Sequence, residues 1–290
     1  NVVCGEQAHA TIFTGLRLLG LGAETAIRVS ADGQGRMQPA ALERALSGLE
    51  GPTIVCAQAG NVATGAFDPF EPIADACTAH GAWLHVDGAF GLWAAAAPST
   101  RSLVRGTECA DSWAVDAHKW LNVPYDSAMA IVADPDAHRA AMSLAASYLV
   151  ADAAQRDSTN YVPESSRRAR SVPVYAALRS LGRSGVAALV ERNCAQARRM
   201  AAHLAEIPGA AILNDVVLNQ VLVRLPGGDK ANLAAVAAVQ RDGTCWLGGT
   251  KWEGRDVLRV SFSNWATSDA DVDRSATAIA AAAASADPKE

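Results

Sequence analysis

One lysine, two aspartates and two histidines stand where a strand-and-helix fold would gather them. Asp116-Ala117-His118-Lys119-Trp120 ends an apolar run that starts at Ser112, Asp87 closes Trp83-Leu84-His85-Val86-Asp87, and His9 follows Asn1-Val2-Val3-Cys4 by a short turn. In open α/β sheets, ligand-handling groups collect at the carboxyl ends of the strands, and neighbouring strands run only about 5 Å apart. A lysine drawn out of water loses part of its preference for the charged form and can bond a carbonyl carbon as a Schiff base. A second chemistry is open to the same stretch. His9, His85, Asp87, Asp116 and His118 are metal-ligand types, and His-x-Asp or Asp-x-His spacing on a strand sends both side chains to one face, as a metal-dependent hydrolase would require. That reading gives Lys119 no task and completes no metal motif, so no metal is expected.

Lys119 stands out by its setting. Of 25 basic residues only four are lysine, and Lys230, Lys251 and Lys289 lie in polar loop or tail sequence. Lys119 sits instead between Ala117-His118 and Trp120-Leu121.

The elements that must position these groups are legible as a rhythm. Strands are expected at Val2–Cys4, Thr53–Gln58, Trp83–Asp87, Ser112–Asp116 and Ala128–Ala133, with helices near His9–Leu19, Pro39–Leu49 and Pro72–His80. Short apolar runs bounded by Gly, Asp or Asn suit strands buried on both faces, so an α/β architecture with a mostly parallel sheet follows. The polar segment Ala151–Arg170 interrupts this pattern before helical periodicity from Val172 through Leu204. Beyond it, strands at Ala211–Leu213, Gln220–Leu225 and Val257–Ser261 and helices near Asn232–Gln240 and Ser268–Ala283 describe a smaller α+β domain. Ser268 with Asp271 has the form of a helix-capping box. The expected division is residues 1–184 and 185–290.

Composition bounds the function. The chain has 290 residues, 50% apolar and 19% charged, with a formal net charge of −5, which excludes a disordered, collagen-like or disulfide-stapled chain. Mild acidity argues against a nucleic-acid partner. The short cluster Arg167-Arg168-Ala169-Arg170 reads as solvated surface or a clamp on carboxylates of the same chain. No run of about twenty residues is apolar enough to span a membrane, and no membrane partner is expected. Six scattered cysteines without a C-x-x-C pair suit reduced thiols and a cytoplasmic location. The chain starts at Asn1 on strand-like sequence, so the expectation is a later part of a longer polypeptide.

Five blocks, in order, carry a resemblance. Glu6-Gln7-Ala8-His9, Gly60-Asn61-x-x-Thr64-Gly65-Ala66-Phe67-Asp68, His85-Val86-Asp87-Gly88-Ala89-Phe90, Ala110-Asp111-Ser112 leading to His118-Lys119-Trp120-Leu121, and Ser166-Arg167-Arg168-Ala169-Arg170 together resemble the group II pyridoxal-phosphate-dependent amino-acid decarboxylases. That family includes aromatic amino acid, glutamate and diaminobutyrate decarboxylases, and the likeness runs from residue 1 to about 180, thinning toward the C-terminus. The resemblance implies a type I pyridoxal-phosphate large domain with a smaller C-terminal domain, and pyridoxal 5'-phosphate as cofactor. It implies that Lys119 holds the cofactor as an internal aldimine, that Asp87 pairs with the pyridinium nitrogen, and that His9 and Ala89 lie on the two ring faces. His118 and Asp116 are implied near the phosphate or the lysine, and Asn61 and Thr64 near the ring edge, while Asp68 fixes its loop. Tyr148, 29 residues after the lysine and ahead of the polar loop, matches a family tyrosine that protonates the α-carbon after carbon dioxide leaves, although a Ser-Tyr-Leu sequence there can also be a packing anchor; Ala151–Asn160 has a lid's composition. Arg259 in Leu258-Arg259-Val260-Ser261 matches an arginine near the substrate carboxylate, although an arginine there can also bridge domains.

The implied reaction is decarboxylation of an α-amino acid to its amine, on a homodimer. Ala117, Gly88, Phe90 and Val62 depart from the family's usual residues, and the family's phosphate-binding turn is expected upstream of Asn1. Other readings stay open at this point: an aminotransferase, lyase or aldehyde-forming reaction on the same fold, or a non-catalytic remnant. Tyr148 favours the amine over the aldehyde, since in the family the aldehyde outcome goes with loss of that tyrosine.

Overall fold

A computed structural model describes residues 1–144, 156–164 and 166–286. Its first part is a six-stranded sheet built from β1 (Val2–Gly5), β2 (Ala26–Val29), β3 (Ile54–Gln58), β4 (Trp83–Asp87), β5 (Ser112–Asp116) and β6 (Ala128–Val132). The spatial order is β2-β1-β3-β4-β5-β6. All neighbours are parallel except β6, which runs antiparallel to β5.

Helices α1 (Ala10–Leu18), α2 (Pro39–Leu46) and α3 (Phe70–His80) connect the early strands. The apolar residues of α2 and α3, Leu42, Leu46, Phe70 and Ile73, pack with Val3, Val55, Leu84 and Val86 into one core. Side chains alternate across a strand, and the two faces of this sheet differ. Val3, Val55, Ala57, Leu84, Val86 and Val115 are buried on one, whereas Ile54, Cys56, Trp83, His85, Ser112 and Ala130 on the other are only partly covered or exposed. Helix α3 ends at Gly81 in the left-handed conformation (φ 62°), which glycine adopts without steric cost. The chain can therefore turn at once into β4.

Helix α4 (Pro135–Met142) follows β6, and then the long α5 (Ser171–Ala205) carries the chain onward. Gly182 is non-helical within α5 (φ 62°, ψ −177°). The division expected at 184/185 falls inside this helix, just beyond Gly182. Leu189, Val190 and Cys194 pack into the first core, and Ala197, Met200 and Leu204 into the second. The remaining strands β7 (Ala211–Ile212), β8 (Gln220–Arg224), β9 (Gly248–Trp252) and β10 (Arg255–Ser261) form an antiparallel sheet in the order β7-β8-β10-β9. Helix α6 (Gly228–Asp242) packs on β9 and β10, and α7 (Asp269–Ala286) packs against α5 and α6. The capping box is formed: Ser268 N–H donates to Asp271 Oδ2 at 2.8 Å and Asp271 N–H to Ser268 Oγ at 3.3 Å.

β2, β9 and α4 have no counterpart among the elements expected from sequence. β2 is a four-residue edge strand with Arg28 in it, and β9 opens on Gly248-Gly249; neither is a strong strand signal. Among the described residues no helix is long and apolar enough to cross a membrane.

Candidate active site

The carboxyl ends of β1, β3, β4 and β5 open onto one cavity of about 360 Å³, within the range of small-ligand sites. His9, Asp87, Ala89, His118, Lys119 and Arg259 all line it.

The ends of β4 and β5 are laced together. Gly88 N–H donates to Ala114 O at 2.9 Å, Asp116 N–H to Ala89 O at 2.9 Å, and Trp93 Nε1–H to Asp116 O at 3.1 Å. This fixes Asp87 beside Ala114 and Asp116 beside Ala89 at the neighbouring ends of β4 and β5. Asp87 Oδ1 accepts the Ala89 N–H at 3.1 Å, which orients the carboxylate. A Cβ at Gly88 would lie 2.1 Å from Leu92 Cγ, so the departure to glycine suits the packing of Leu92 beneath this turn. Gly60 (φ 92°) lines the cavity, and a Cβ there would stand 3.0 Å from the Phe90 ring. Glycine keeps this wall low.

Lys119 Nζ lies 2.9 Å from Asp116 Oδ2, which also stands 3.6 Å from His118 Nε2. On its other side, His118 Nδ1 lies 3.1 Å from Ser127 N and 2.7 Å from Ser127 O. The adjacent Trp120 is fully buried and donates its indole N–H to Asn193 Oδ1 of α5 at 2.8 Å. An anchored tryptophan directly after the lysine holds the backbone from which Lys119 projects. His9 is the N-cap of α1, its Nδ1 accepting Thr11 N–H at 3.3 Å, so capping and cavity wall are duties of one side chain.

Asn61 and Thr64 are buried but do not line the cavity. Asn61 Oδ1 accepts N–H groups from Ala63 and Thr64, and Thr64 Oγ1 donates to Gln34 O. Their hydrogen-bonding capacity is spent on the loop, and Gly60 and Val62 form the wall instead. Asp68 fixes the same loop by accepting Met37 N–H and Gln58 N–H, each at 2.7 Å. Burial pushes its carboxyl up to about 6 against those two hydrogen bonds.

The antiparallel sheet and the residues flanking its strands close the cavity with Arg259, Asn219, Gln220, Ser261, Ser263 and Asn264. Arg259 Nη1 donates to Val62 O at 3.0 Å, and burial pulls its guanidinium down from the ordinary value. Asn122 sits at φ 58°, a conformation asparagine tolerates better than most residues, and donates to Trp120 O and Ser263 O. Gln58, Asn122, Tyr125 and the amide and hydroxyl wall line the cavity without being expected from sequence. Only the nearness of Asn122 and Tyr125 to Lys119 offered a signal. Tyr148 lies outside the described residues, as does the first half of the expected lid.

His85 lies outside the cavity, with Nδ1 2.9 Å from Ser112 Oγ; burial lowers its basicity, partly opposed by Asp87. Among the described residues no three His, Cys, Asp or Glu side chains are arranged to hold a metal ion. The clamp expected of the arginine cluster is present: Arg170 grips Asp126 with two 3.0 Å hydrogen bonds.

A mostly parallel sheet with a lysine and an aspartate at neighbouring strand ends, closed by an antiparallel C-terminal sheet, defines the type I pyridoxal-phosphate fold. The pyridoxal-dependent decarboxylase conserved domain matches residues 1–226, and the chain belongs to that family. It is 31% identical over 281 residues to an L-2,4-diaminobutyrate decarboxylase of Rhizobium meliloti (strain 1021), covering 91% of this chain and 56% of the relative. It is 26% identical over 278 residues to a phenylacetaldehyde synthase of Arabidopsis thaliana, covering 90% and 57%. The crystal structure of an Oryza sativa TDC with PLP and tryptamine superposes with a TM-score of 0.91 at 23% identity, covering 98% of this chain and 62% of that one. That likeness is one of fold. The chain spans a little over half the length of these curated relatives.

Proposed function

We propose that this chain carries the catalytic lysine of a pyridoxal-phosphate-dependent decarboxylase acting on an α-amino acid. One observation carries the reading: Lys119, Asp87 and Arg259 line a single cavity, supplying an amine, a carboxylate and a guanidinium. The donor set fits the cofactor. Lys119 is the amine for its aldehyde, Asp87 the counter-charge for a protonated ring nitrogen, and His9 and Ala89 are the two sides between which a flat ring would lie. Bound there, pyridoxal phosphate supplies an electron sink for the pair left on the α-carbon when carbon dioxide departs.

The chain's own residues do the rest. Asp87, pinned through Oδ1 by Ala89 N–H, holds the proton on the ring nitrogen. Asp116 forms an ion pair with Lys119 Nζ at 2.9 Å and so sets where that amine rests. Arg259 orients the substrate by its carboxylate, which fixes the direction of the bond to be broken. Tyr148 is the proposed proton donor to the α-carbon. Its presence favours an amine product over the aldehyde that the name of the Arabidopsis relative describes.

A homodimer is part of the proposal. Val172, Tyr175 and Leu178, at helical spacing on the first turns of α5, are all exposed, a stripe of the kind that subunit interfaces cover. A cytoplasmic location is proposed from the six free cysteines.

The test is the visible absorbance band of the cofactor-loaded chain, together with borohydride trapping and release of carbon dioxide and amine from a panel of amino acids. The expected result is a band and a trapped adduct in the wild type, and neither in Lys119→Ala. A colourless wild type, or a Lys119→Ala variant that still traps cofactor, would overturn the reading.

A further inference from the structure

Tyr125 is an aromatic residue held in place yet left open. Its ring packs on His118 with centroids 4.2 Å apart and planes tilted by 32°, and the residue is still 73% exposed. It lines the same cavity as Lys119 and Arg259. A side chain this exposed adds little to the core, yet its backbone is anchored on both sides. Arg168 Nη1 donates to Tyr125 O at 2.7 Å, and the next residue, Asp126, takes both hydrogen bonds of the Arg170 fork. Three residues earlier Asn122 is tied across to Ser263 O at 2.7 Å. One ring face is therefore committed to His118, and among the described residues no aromatic ring or cation stacks on the other.

We propose that Tyr125 is a specificity-determining residue whose other ring face packs against the substrate's side chain, with Arg168 and Arg170 as positioning residues that hold it there. The inference rests on the decarboxylase reading above. If Lys119 marks the α-carbon and Arg259 the carboxylate, the side chain must leave in a third direction, and Tyr125 is an exposed wall residue of the same cavity with no part in holding cofactor or carboxylate. A flat aromatic face recognises surface area and shape rather than a particular charge, so contact should grow with side-chain length. An amino acid with only a methyl group would not reach it.

The test is a titration of the cofactor-loaded chain with L-alanine, L-2,4-diaminobutyrate, L-glutamate and L-tryptophan, reading the half-saturating concentration from the change in the visible band. In Tyr125→Ala, half-saturation by whichever longer probes the wild type binds should rise about tenfold, and that for alanine should stay within about twofold. The starting band, which reports on Lys119, should be unchanged. Tyr125→Phe should bind like the wild type, because the ring face is kept. Arg170→Ala should shift the longer probes in the same direction by a smaller factor. Equal effects on alanine and the longer probes, or a rise in Tyr125→Phe as large as in Tyr125→Ala, would overturn the assignment while leaving the cofactor reading intact. A wild type without a visible band would overturn both.

Discussion

Arg259, on β10 of the antiparallel sheet, reaches the loop after β3 and, among the described residues, gives one hydrogen bond, from Nη1 to the carbonyl oxygen of Val62 at 3.0 Å. The residue is mostly shielded from water, and no carboxylate neutralises it among the described residues. A shielded guanidinium without a counter-charge is costly, and one facing a cavity is a seat for an anion.

Replacement of Arg259 by methionine should therefore raise KM for the amino-acid substrate at least about tenfold, with the visible band of the bound cofactor unchanged. Arg259→Lys should recover only part of the loss, because an ammonium cannot make the two-pronged contact of a guanidinium. Carbon dioxide release measured against substrate concentration reads both effects. An unchanged KM in the methionine variant would move the carboxylate seat elsewhere.

Asp68 makes a prediction about pH and stability. Its carboxyl is raised from an ordinary 3.8 to about 6, chiefly by burial, so between those values the folded chain binds a proton that the unfolded chain has released. The resulting stabilisation is fully present below about pH 4 and is lost as pH rises through about 6, an effect of at most roughly 3 kcal/mol. Urea unfolding of the wild type against Asp68→Asn, which has no such proton, should show the wild type losing ground to the variant across this window. A constant difference would contradict the assignment.

The thiols should divide by burial. Cys109 is exposed, whereas burial pushes Cys56 up to about 12, Cys77 and Cys194 up to about 11, and Cys4 and Cys245 above the usual range. An aromatic disulfide reagent at mildly alkaline pH should modify one thiol quickly and the others only on unfolding. Cys109→Ser should abolish the fast phase. A second fast thiol in that variant would locate an opening that burial does not show.

Much of the cavity was legible because its chemistry sits on short-range signals. Asp87 and Asp116 each close an apolar run, His9 opens a helix, and Lys119 follows a strand with a tryptophan after it. These positions depend only on where strands end. Asn61 and Thr64 show the opposite case, since residue types suited to a ligand satisfy their own loop. Gln220, Ser261 and Ser263 were illegible for a different reason. Their approach to Lys119 depends on how the second sheet sits against the first, and no local pattern records that. Tyr125 lies close to Lys119 in sequence, but its exposed, anchored setting depends on arginines more than forty residues away.

The continuity of α5 bears on how the molecule comes apart. One helix gives Leu189, Val190 and Cys194 to the first core and Ala197, Met200 and Leu204 to the second. Around this changeover Asn193 holds the indole of Trp120, and Gln196 donates to Thr267 O at 2.6 Å. Neither core can melt without fraying the helix that the other needs. The two cores are thus one cooperative unit in unfolding, and loosening around the antiparallel sheet would be felt at Trp120, one residue from Lys119.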